Sequence, residues 1–301
     1  MREADARSAL DAILDHLNVG AGQAIMLHSD MSGVPLPKIT APLTPTGLRQ
    51  QRDQLCRFVY EALIERLGVS GTLIVPTFTY STSASGNAFH LESTPSEVGP
   101  LSEFVRCQAG AHRSLHPIFS IAAVGALAVT LTENAGPAAF GQNSPWQRFS
   151  EHDVRIITLG TPFRASATYV HHLEQCFGSP HRFHKVLDTA VFQNGIQIEG
   201  TWLAYLRFRS VDLDIDLVRF EAALRDDGAL LETGWNGKTS SAVDVKNVDR
   251  VGYGMLQSDP WAFTNRRVVM EIQESIPADG PSASSHAKFE LKLISSEQAQ
   301  K

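Results

Sequence analysis

The residues best suited to proton transfer lie between Ser166 and Cys176, in the pattern Thr168-x-x-His171-x-x-Glu174. On a helix, His171 and Glu174 are three residues apart and share a face, with Thr168 one turn earlier. A carboxylate beside a histidine raises the imidazole pKa and fixes which ring nitrogen is free. The spacing therefore indicates a general base with an orienting acid, although solvated surface pairs at this spacing are also common.

The segment before this pattern is predicted to be a buried strand, because the apolar run 155–159 ends at Gly160. Two more buried strands are predicted at residues 23–27 and 72–77, separated by an amphipathic helix over 48–67. This β-α-β order favours parallel pairing with a right-handed crossover. We therefore expect the residues after each strand to meet at one edge of a sheet, where α/β proteins place their binding groups.

The whole chain is predicted to be an α/β protein with a mixed, largely parallel central sheet flanked by helices. Residues 1–188 are expected to form the catalytic core and 189–264 a smaller C-terminal α+β portion packed on it. Residues 265–301 are expected to form a peripheral tail, whose small polar middle, 278–285, favours disorder. Ser96 is expected to cap a short helix, and residues 118–124 to form a strand.

Composition excludes several classes of protein. The 301 residues are 43% hydrophobic and 19% charged, which is typical of a soluble globular protein. A net charge of −6 without a basic stripe argues against nucleic-acid binding, and no apolar run approaches the roughly 20 residues that span a membrane. The three distant cysteines form no C-x-x-C pair, so we expect a cytoplasmic protein with neither disulfides nor a metal.

Five segments, taken in order, resemble the aminoglycoside 3-N-acetyltransferase family. They are residues 27–31, 75–79 and 113–120, then Phe140-Gly141 with Ser144-Pro145, and the Thr168 to Glu174 pattern. The downstream segment 180–185 is similar to one that follows the family's His–Glu helix. The resemblance covers roughly residues 20–262.

The resemblance implies an acetyl-CoA-dependent N-acetyltransferase that acts on the primary amine of an amino sugar, an aminoglycoside or a related metabolite. Carried over to this sequence, His171 is the general base, Glu174 orients it, and Thr168 lies on the same catalytic helix. The residues expected to contact CoA and its thioester are His28, Ser29, Asp30, Met31, Ser32, Gly33, Thr77, Ser114, His116, Pro117 and Ser120.

Asp30 would place a negative charge near an anionic cofactor, so its side chain is expected to point away or to cap the following turn. Thr77, Thr168 and Ser120 are the candidate hydroxyl donors to a tetrahedral oxyanion. Acidic side chains at 92, 97 and 103 are either contacts for a cationic sugar or ordinary surface and helix-start charges.

The sequence also leaves other functions possible. Cys107 or Cys176 could be an acylated nucleophile with His116 or His171 as its base, although helical spacing turns Cys176 off the His171 face and favours a buried structural role. A metal hydrolase and a non-catalytic CoA- or sugar-binding relative are further alternatives. The acceptor, the size of the acyl group, a resistance or biosynthetic role, and the oligomeric state, with a homodimer among the options, are left undecided.

Overall fold

The computed structural model describes residues 1–84, 86–207, 213–265, 269–272 and 291–294. Its α-helices are α1 Glu3–His16, α2 Pro45–Leu67, α3 Pro100–Arg106, α4 Ala128–Thr132, α5 Gln147–Glu151, α6 Phe163–Ser166, α7 Val170–Phe177, α8 Val218–Asp226 and α9 Val245–Ser258. Its strands are β1 Ala24–Ser29, β2 Thr72–Pro76, β3 Phe89–His90, β4 His112–Arg113, β5 Ile121–Gly125, β6 Arg155–Leu159, β7 Arg182–Leu187, β8 Val191–Gln193, β9 Ile196–Gln197, β10 Trp202–Arg207, β11 Leu231–Trp235, β12 Lys238–Asp244, β13 Val269–Ile272 and β14 Leu291–Ile294.

The main sheet of the described chain has seven strands in the order β11-β12-β6-β1-β2-β5-β4. Its middle strands are parallel, since β1 pairs in parallel with both β2 and β6. The outer strands β5, β4, β12 and β11 pair antiparallel. The mixed α/β class is confirmed, and the parallel pairing that the β-α-β pattern predicts is confined to the three central strands.

Helices cover both faces of this sheet because its strands are apolar on both sides. Along β1, Met26 packs in one cluster while Ile25 and Leu27 pack in the other, as the two-residue period of a strand requires. One cluster includes buried side chains of α1, α2 and α3. The other includes those of α4, α5, α7, α8 and α9, so α7 packs on this second face.

Several boundaries differ from the sequence prediction. Helix α2 begins at Pro45, with Thr44 as its N-cap. Proline has no backbone N–H, but an N–H in the first turn has no acceptor within the helix, so its absence there costs no hydrogen bond. The prediction that Ser96 caps α3 is wrong: Gly99 precedes the helix, and the residue before Pro100 is disfavoured from helical geometry.

The predicted strand 118–124 is also shorter than expected. It begins only at Ile121, because the backbone N–H groups of Ile118 and Phe119 donate to Nδ1 of His116 instead of to a strand. The helical pattern after Gly160 is broken into α6 and α7. Thr168 lies between them, which corrects its expected place one turn earlier on the His171 face.

Two Asn-Gly pairs, which favour tight hairpin turns, join antiparallel strands: Asn194-Gly195 joins β8 to β9 and Asn236-Gly237 joins β11 to β12, each residue with positive φ. The second hairpin is hydrogen-bonded into the main sheet through β6. The division at residue 188 stays a prediction, since the structure gives two strands of the second portion to the sheet of the first.

Part of the predicted tail is described. Strands β13 and β14 pair antiparallel there, whereas the small polar stretch 278–285 lies outside the described residues. A search of the helices in the described ranges finds none with the length and apolarity that a membrane crossing needs.

Candidate active site

The three parallel strands end at one edge of the sheet, β1 at Ser29, β2 at Pro76 and β6 at Leu159. The segment 113–120, which leads into antiparallel β5, reaches the same edge, where Thr77 N–H donates to the Ser120 carbonyl. The expectation that these segments share an edge is confirmed. The loop after β1 reaches the α6–α7 segment, where Thr168 Oγ1 lies 3.4 Å from Nε2 of His28, and Tyr80 and Ser83, which follow β2, share a cavity wall with His171.

His171 and Glu174 face each other on α7, with Nδ1 of the imidazole 3.0 Å from Oε2 of the carboxylate. The Glu174 side chain is fully buried, whereas that of His171 is 23% exposed. The carboxylate can only accept, so this hydrogen bond requires the proton on Nδ1, and Nη2 of Arg182, 2.9 Å from the same nitrogen, then acts as a neighbouring charge and not as a donor to it. Nε2 has no hydrogen-bond partner within the described part of the chain. The geometry leaves one ring nitrogen available to take a proton.

The Glu174 carboxylate is shared among three side chains. Besides His171, it contacts Nε2 of His181 at 2.9 Å and Nε of Arg182 at 2.7 Å. Burial by itself raises the pKa of Glu174, but the hydrogen bonds from the two histidines and the charge of Arg182 prevail and lower the pKa to about 2. Glu174 is thus an anion across the working range of a base such as His171.

The pKa of His171 is shifted downward, which corrects the expectation that Glu174 raises it. Burial is the main cause, and the positive charge of Arg182, whose Nη2 lies 2.9 Å from Nδ1, acts in the same direction. These two effects outweigh the carboxylate. At neutral pH the imidazole is therefore in its neutral form, with one ring proton, and can accept a second.

Thr168 connects the α6–α7 segment to the loop after β1. Its Oγ1 lies 3.4 Å from Nε2 of His28, and its side chain is partly exposed. His28 is buried, which lowers the pKa of its imidazole to about 4, so the ring is neutral. The structure thus brings Thr168 and His28 together at the edge of the sheet.

The loop 28–33 folds back on itself through Asp30, as predicted. The Asp30 carboxylate accepts hydrogen bonds from Ser32 N–H at 3.0 Å and from Ser32 Oγ at 2.7 Å, and Lys238 of β12 lies 3.5 Å away. Ser29, Met31 and Ser32 stay accessible to different degrees, whereas Gly33 is buried against Gly160.

The remaining predicted cofactor contacts, Thr77, Ser114, His116, Pro117 and Ser120, are buried and bonded within the protein. Thr77 Oγ1 and Ser120 Oγ are 2.9 Å apart, Ser114 Oγ accepts from Ile121 N–H, and the Pro117 carbonyl accepts from Thr82. Of the three candidate oxyanion donors, Thr77 and Ser120 are fully buried and Thr168 is partly exposed.

The cysteines lack the partners that an acylated nucleophile needs. Cys107 lies near Glu103 and Arg106, and burial raises the pKa of its thiol. Cys176 is exposed, which corrects the expectation of a buried residue, and its Sγ is 3.6 Å from Nε2 of His172.

The tautomer of His172 decides its role beside Cys176. Nδ1 of His172 accepts a hydrogen bond from Gly141 N–H, so the neutral ring carries its proton on Nε2. This histidine therefore cannot accept the thiol proton of Cys176. His116 is held in the same way, since its Nδ1 accepts two backbone N–H groups while Nε2 faces the Leu203 carbonyl.

Within the described residues, no group of three or more His, Cys, Asp or Glu side chains is arranged to hold a metal ion. The nearest approach to one, Glu174 with His171 and His181, has the Arg182 guanidinium against the same carboxylate. A cation there would meet a fixed positive charge.

A cavity of about 1160 Å³ opens beside the exposed edge of His171. Aromatic side chains contribute much of its wall, among them Tyr80, Phe119 and Tyr205. The cavity is large enough for a small acceptor together with the end of a cofactor arm. The imidazole is therefore reachable from outside, as a base must be.

Sequence reasoning missed the roles of His181 and Arg182, because both lie beyond the end of α7 and reach Glu174 only through a chain reversal. Gly178, with φ of 82°, ends α7 in the left-handed conformation, and the N–H groups of Gly178 and Ser179 both donate to the Glu174 carbonyl. The chain then turns back and places the next residues on the carboxylate. A glycine soon after Glu174 was the available signal for this reversal.

Comparison with known proteins places these features among acetyltransferases. A family model described as aminoglycoside 3-N-acetyltransferase matches residues 26–256. An aminoglycoside N(3)-acetyltransferase III of Salmonella is 28% identical over 188 residues, which are 58% of this chain and 62% of the relative. The chain thus matches less than two thirds of that relative. An aminoglycoside N(3)-acetyltransferase VIII of Streptomyces fradiae is 27% identical and covers 68% of this chain and 71% of its own length.

Solved structures share the fold. The aminoglycoside acetyltransferase AAC(3)-Xa superposes with a TM-score of 0.67 and 21% identity, covering 86% of this chain and 93% of its own. AAC-IIIb, in a binary complex with CoASH, superposes with a TM-score of 0.65 and 19% identity over 87% of this chain and 98% of its own.

Proposed function

Since the chain belongs to the aminoglycoside 3-N-acetyltransferase family, we propose that it transfers an acetyl group from acetyl-CoA to a primary amine of an amino sugar, an aminoglycoside or a related metabolite. The observation that carries the proposal is the partly exposed imidazole of His171, held by the buried Glu174 at the wall of a cavity. Such a pair suits an acceptor that must lose a proton as it attacks a carbonyl carbon.

His171 acts as the general base. The amine nitrogen forms a bond to the thioester carbonyl carbon, and its proton moves to Nε2 of His171. The resulting imidazolium keeps its Nδ1–H on Glu174, whose negative charge stabilises it. Acetyl-CoA supplies the activated carbonyl, and breaking its carbon–sulfur bond releases the thiolate, which takes the proton from the imidazolium to give free CoA and neutral His171.

Thr168 is the proposed hydroxyl donor to the tetrahedral oxyanion. Thr168 is partly exposed and precedes α7 by two residues, whereas the hydroxyl groups of Thr77 and Ser120 are buried and hydrogen-bonded to each other. A donor aimed at developing charge typically contributes about 10²–10³-fold to the rate. Thr77, Ser114, His116, Pro117 and Ser120 are proposed to shape the cofactor side of the cleft through their internal bonds.

The loop 28–33 fits an anionic cofactor. Its one acid, Asp30, is turned onto Ser32 and paired with Lys238, so it presents no free negative charge. The Lys238 ammonium, half exposed, offers a positive charge at the same place. His28, Ser29, Asp30, Met31, Ser32 and Gly33 are proposed to form the contact with CoA.

The test replaces the base. His171→Ala is expected to lower kcat/KM by about 10²–10⁴-fold with an authentic acceptor, while the Kd for CoA stays within a few-fold. Release of free thiol measures the rate and calorimetry measures CoA binding. His16→Ala, an exposed histidine on α1, is the matched control and should keep full activity. Retention of more than about a tenth of kcat/KM by His171→Ala would remove His171 as the base.

A further inference from the structure

The charges that line the cavity beside His171 bear on the kind of acceptor it takes. Arg182, Lys185 and Arg207 contribute positive charge to its wall, and Asp214 is the acidic side chain among the described lining residues. Aminoglycosides carry several ammonium groups, and a site for such a polycation needs carboxylates to meet them. The charged side chains that line this cavity are instead mostly positive.

Two of these cations are already neutralised by partners. Arg182 is paired with the buried Glu174 at 2.7 Å. Arg207 is paired with Asp214 at 2.5 Å, which uses the acid that an ammonium group would need. Lys185 is exposed, and within the described residues it has no ion-pair partner. The described wall thus offers one unpaired positive charge and no unpaired carboxylate.

The three acids that the sequence suggests as contacts for a cationic sugar add no negative charge to the lining of this cavity. Glu103 is paired with Arg106, and Glu97 accepts hydrogen bonds from Ser81. The backbone N–H of Asn194 donates to Glu92. All three acids lie outside the lining of this cavity, so the sequence-based interpretation of them as ordinary surface and helix-start charges is the one that fits.

We propose that the acceptor amine belongs to a sugar-like molecule that also carries an anionic group, a carboxylate or a phosphate, which Lys185 binds. The inference rests on the proposed acetyl transfer and narrows its substrate class. An anion would form a charge-assisted hydrogen bond with Lys185, while the aromatic rings of Tyr80, Phe119 and Tyr205 pack against the ring of the sugar. A polycation would meet repulsion at the same place.

The experiment compares four acceptors with acetyl-CoA: glucosamine, glucosamine 6-phosphate, glucosaminuronic acid and kanamycin A. We expect kcat/KM for at least one of the two anionic sugars to exceed that for glucosamine by about tenfold, the size of a hydrogen bond to a charged group. The two anionic arms distinguish phosphate from carboxylate. Equal or higher kcat/KM for glucosamine or kanamycin A overturns the inference and leaves acetyl transfer intact.

Binding is measured separately from turnover. Calorimetry on His171→Ala saturated with CoA should give tighter binding of an anionic sugar than of kanamycin A. This preference can be observed even when no acetylation occurs, so the two proposals fail separately. One outcome is that the unmodified enzyme acetylates none of the four acceptors while the anionic sugars still bind more tightly than kanamycin A. That outcome excludes acetyl transfer to these amines but leaves the inferred preference for an anionic acceptor in place. Tighter binding of kanamycin A overturns the charge assignment.

Variants of the cavity wall sharpen the test. Lys185→Gln should remove the roughly tenfold advantage of the anionic sugar, and Lys185→Glu should reverse it. Asp214→Asn frees Arg207 and should increase the advantage. Lys246→Gln, on α9 and outside the lining, is the matched control and should leave the ratio unchanged. An unchanged ratio in both Lys185 variants overturns the role of Lys185.

Discussion

The carboxylate of Glu174 is a buried charge whose position depends on three neighbours. Taking a carboxylate out of water costs several kcal/mol unless partners repay it. Here Arg182 supplies a full positive charge, while His171 and His181 supply directed N–H donors. The result is a fixed anion that holds the imidazole of His171 in one orientation.

Arg182 contributes, after burial, to the pH range in which His171 would act as the proposed base. A base is active while neutral, so kcat/KM should fall as pH drops through the pKa of His171. Because burial and Arg182 lower this pKa, the acidic limb of the profile should lie below about 6.5, the ordinary value for histidine. Arg182→Gln keeps a hydrogen-bond donor but removes the charge, so the limb should move to higher pH.

The measurement is kcat/KM against pH for the enzyme and for Arg182→Gln, at saturating acetyl-CoA. Arg57→Gln, an exposed arginine on α2, controls for the loss of a surface charge. Thermal melts identify any loss of folded protein. A limb that stays in place or moves to lower pH in Arg182→Gln would show that the guanidinium does not depress the pKa of His171.

For individual residues, the sequence predicts the side-chain contacts that a short spacing along one helix or turn determines. The pairing of His171 with Glu174 follows from a three-residue helical interval, and the turn made by Asp30 follows from its place after a strand. The downward pKa of His171 could not be predicted, because it depends first on burial and then on Arg182, which lies eleven residues away along the chain and arrives through a reversal at Gly178.

Two glycines let the loops after β1 and β6 touch. A Cβ on Gly160 would lie 2.4 Å from the Asp30 carbonyl oxygen, and one on Gly33 would lie 2.6 Å from Gly160 Cα. Gly160 also has φ of 72°, which other residues rarely adopt. The backbones therefore pack directly on each other, and the loop proposed to bind CoA rests on the loop that leads to α6 and α7.

Gly160→Ala should disturb this contact. The added methyl has no space, so the loop 28–33 must shift, and we expect both a lower melting temperature and a several-fold higher KM for acetyl-CoA. Gly20→Ala is the control, because a Cβ there meets nothing within 4 Å and its φ is not positive. If Gly160→Ala has an unchanged KM while its melting temperature falls, the contact stabilises the fold without positioning the cofactor loop.

The elements with strong local signals are the ones the sequence predicts. Strands β1, β2 and β6 follow from apolar runs, and both hairpins follow from Asn-Gly pairs. The pairing of β12 with β6 joins residues far apart in the chain, and no local pattern encodes it. The shortened β5 likewise depends on hydrogen bonds to the His116 ring.

At the scale of the whole molecule, the β11–β12 hairpin contributes to the candidate site as well as to the main sheet. Ser240 Oγ accepts a hydrogen bond from Gly160 N–H at 2.9 Å, and Lys238 lies beside Asp30. Strand β12 thus braces both loops that meet at the two glycines. Residues on either side of position 188 are needed to assemble one cleft.

Three buried histidines link the stability of the fold to pH. Burial lowers the pKa of His28, His116 and His172 to about 4 each. In the unfolded chain each titrates near 6.5, so the unfolded state binds more protons between pH 6.5 and 4. Folding free energy contributed by the neutral rings is therefore present above about pH 6.5 and is lost as pH falls toward 4.

The expected slope is about 1.4 kcal/mol per pH unit for each histidine inside this window, or roughly 4 kcal/mol per unit for the three. Urea unfolding at pH 7, 6 and 5 at constant ionic strength measures it. His116→Asn keeps an acceptor for the Ile118 and Phe119 N–H groups but cannot titrate, so its slope should fall by about 1.4 kcal/mol per pH unit whatever its absolute stability. His16→Asn, on the exposed surface of α1, should leave the slope unchanged. Equal slopes for His116→Asn and the unmodified protein would mean that His116 does not resist protonation in the folded state.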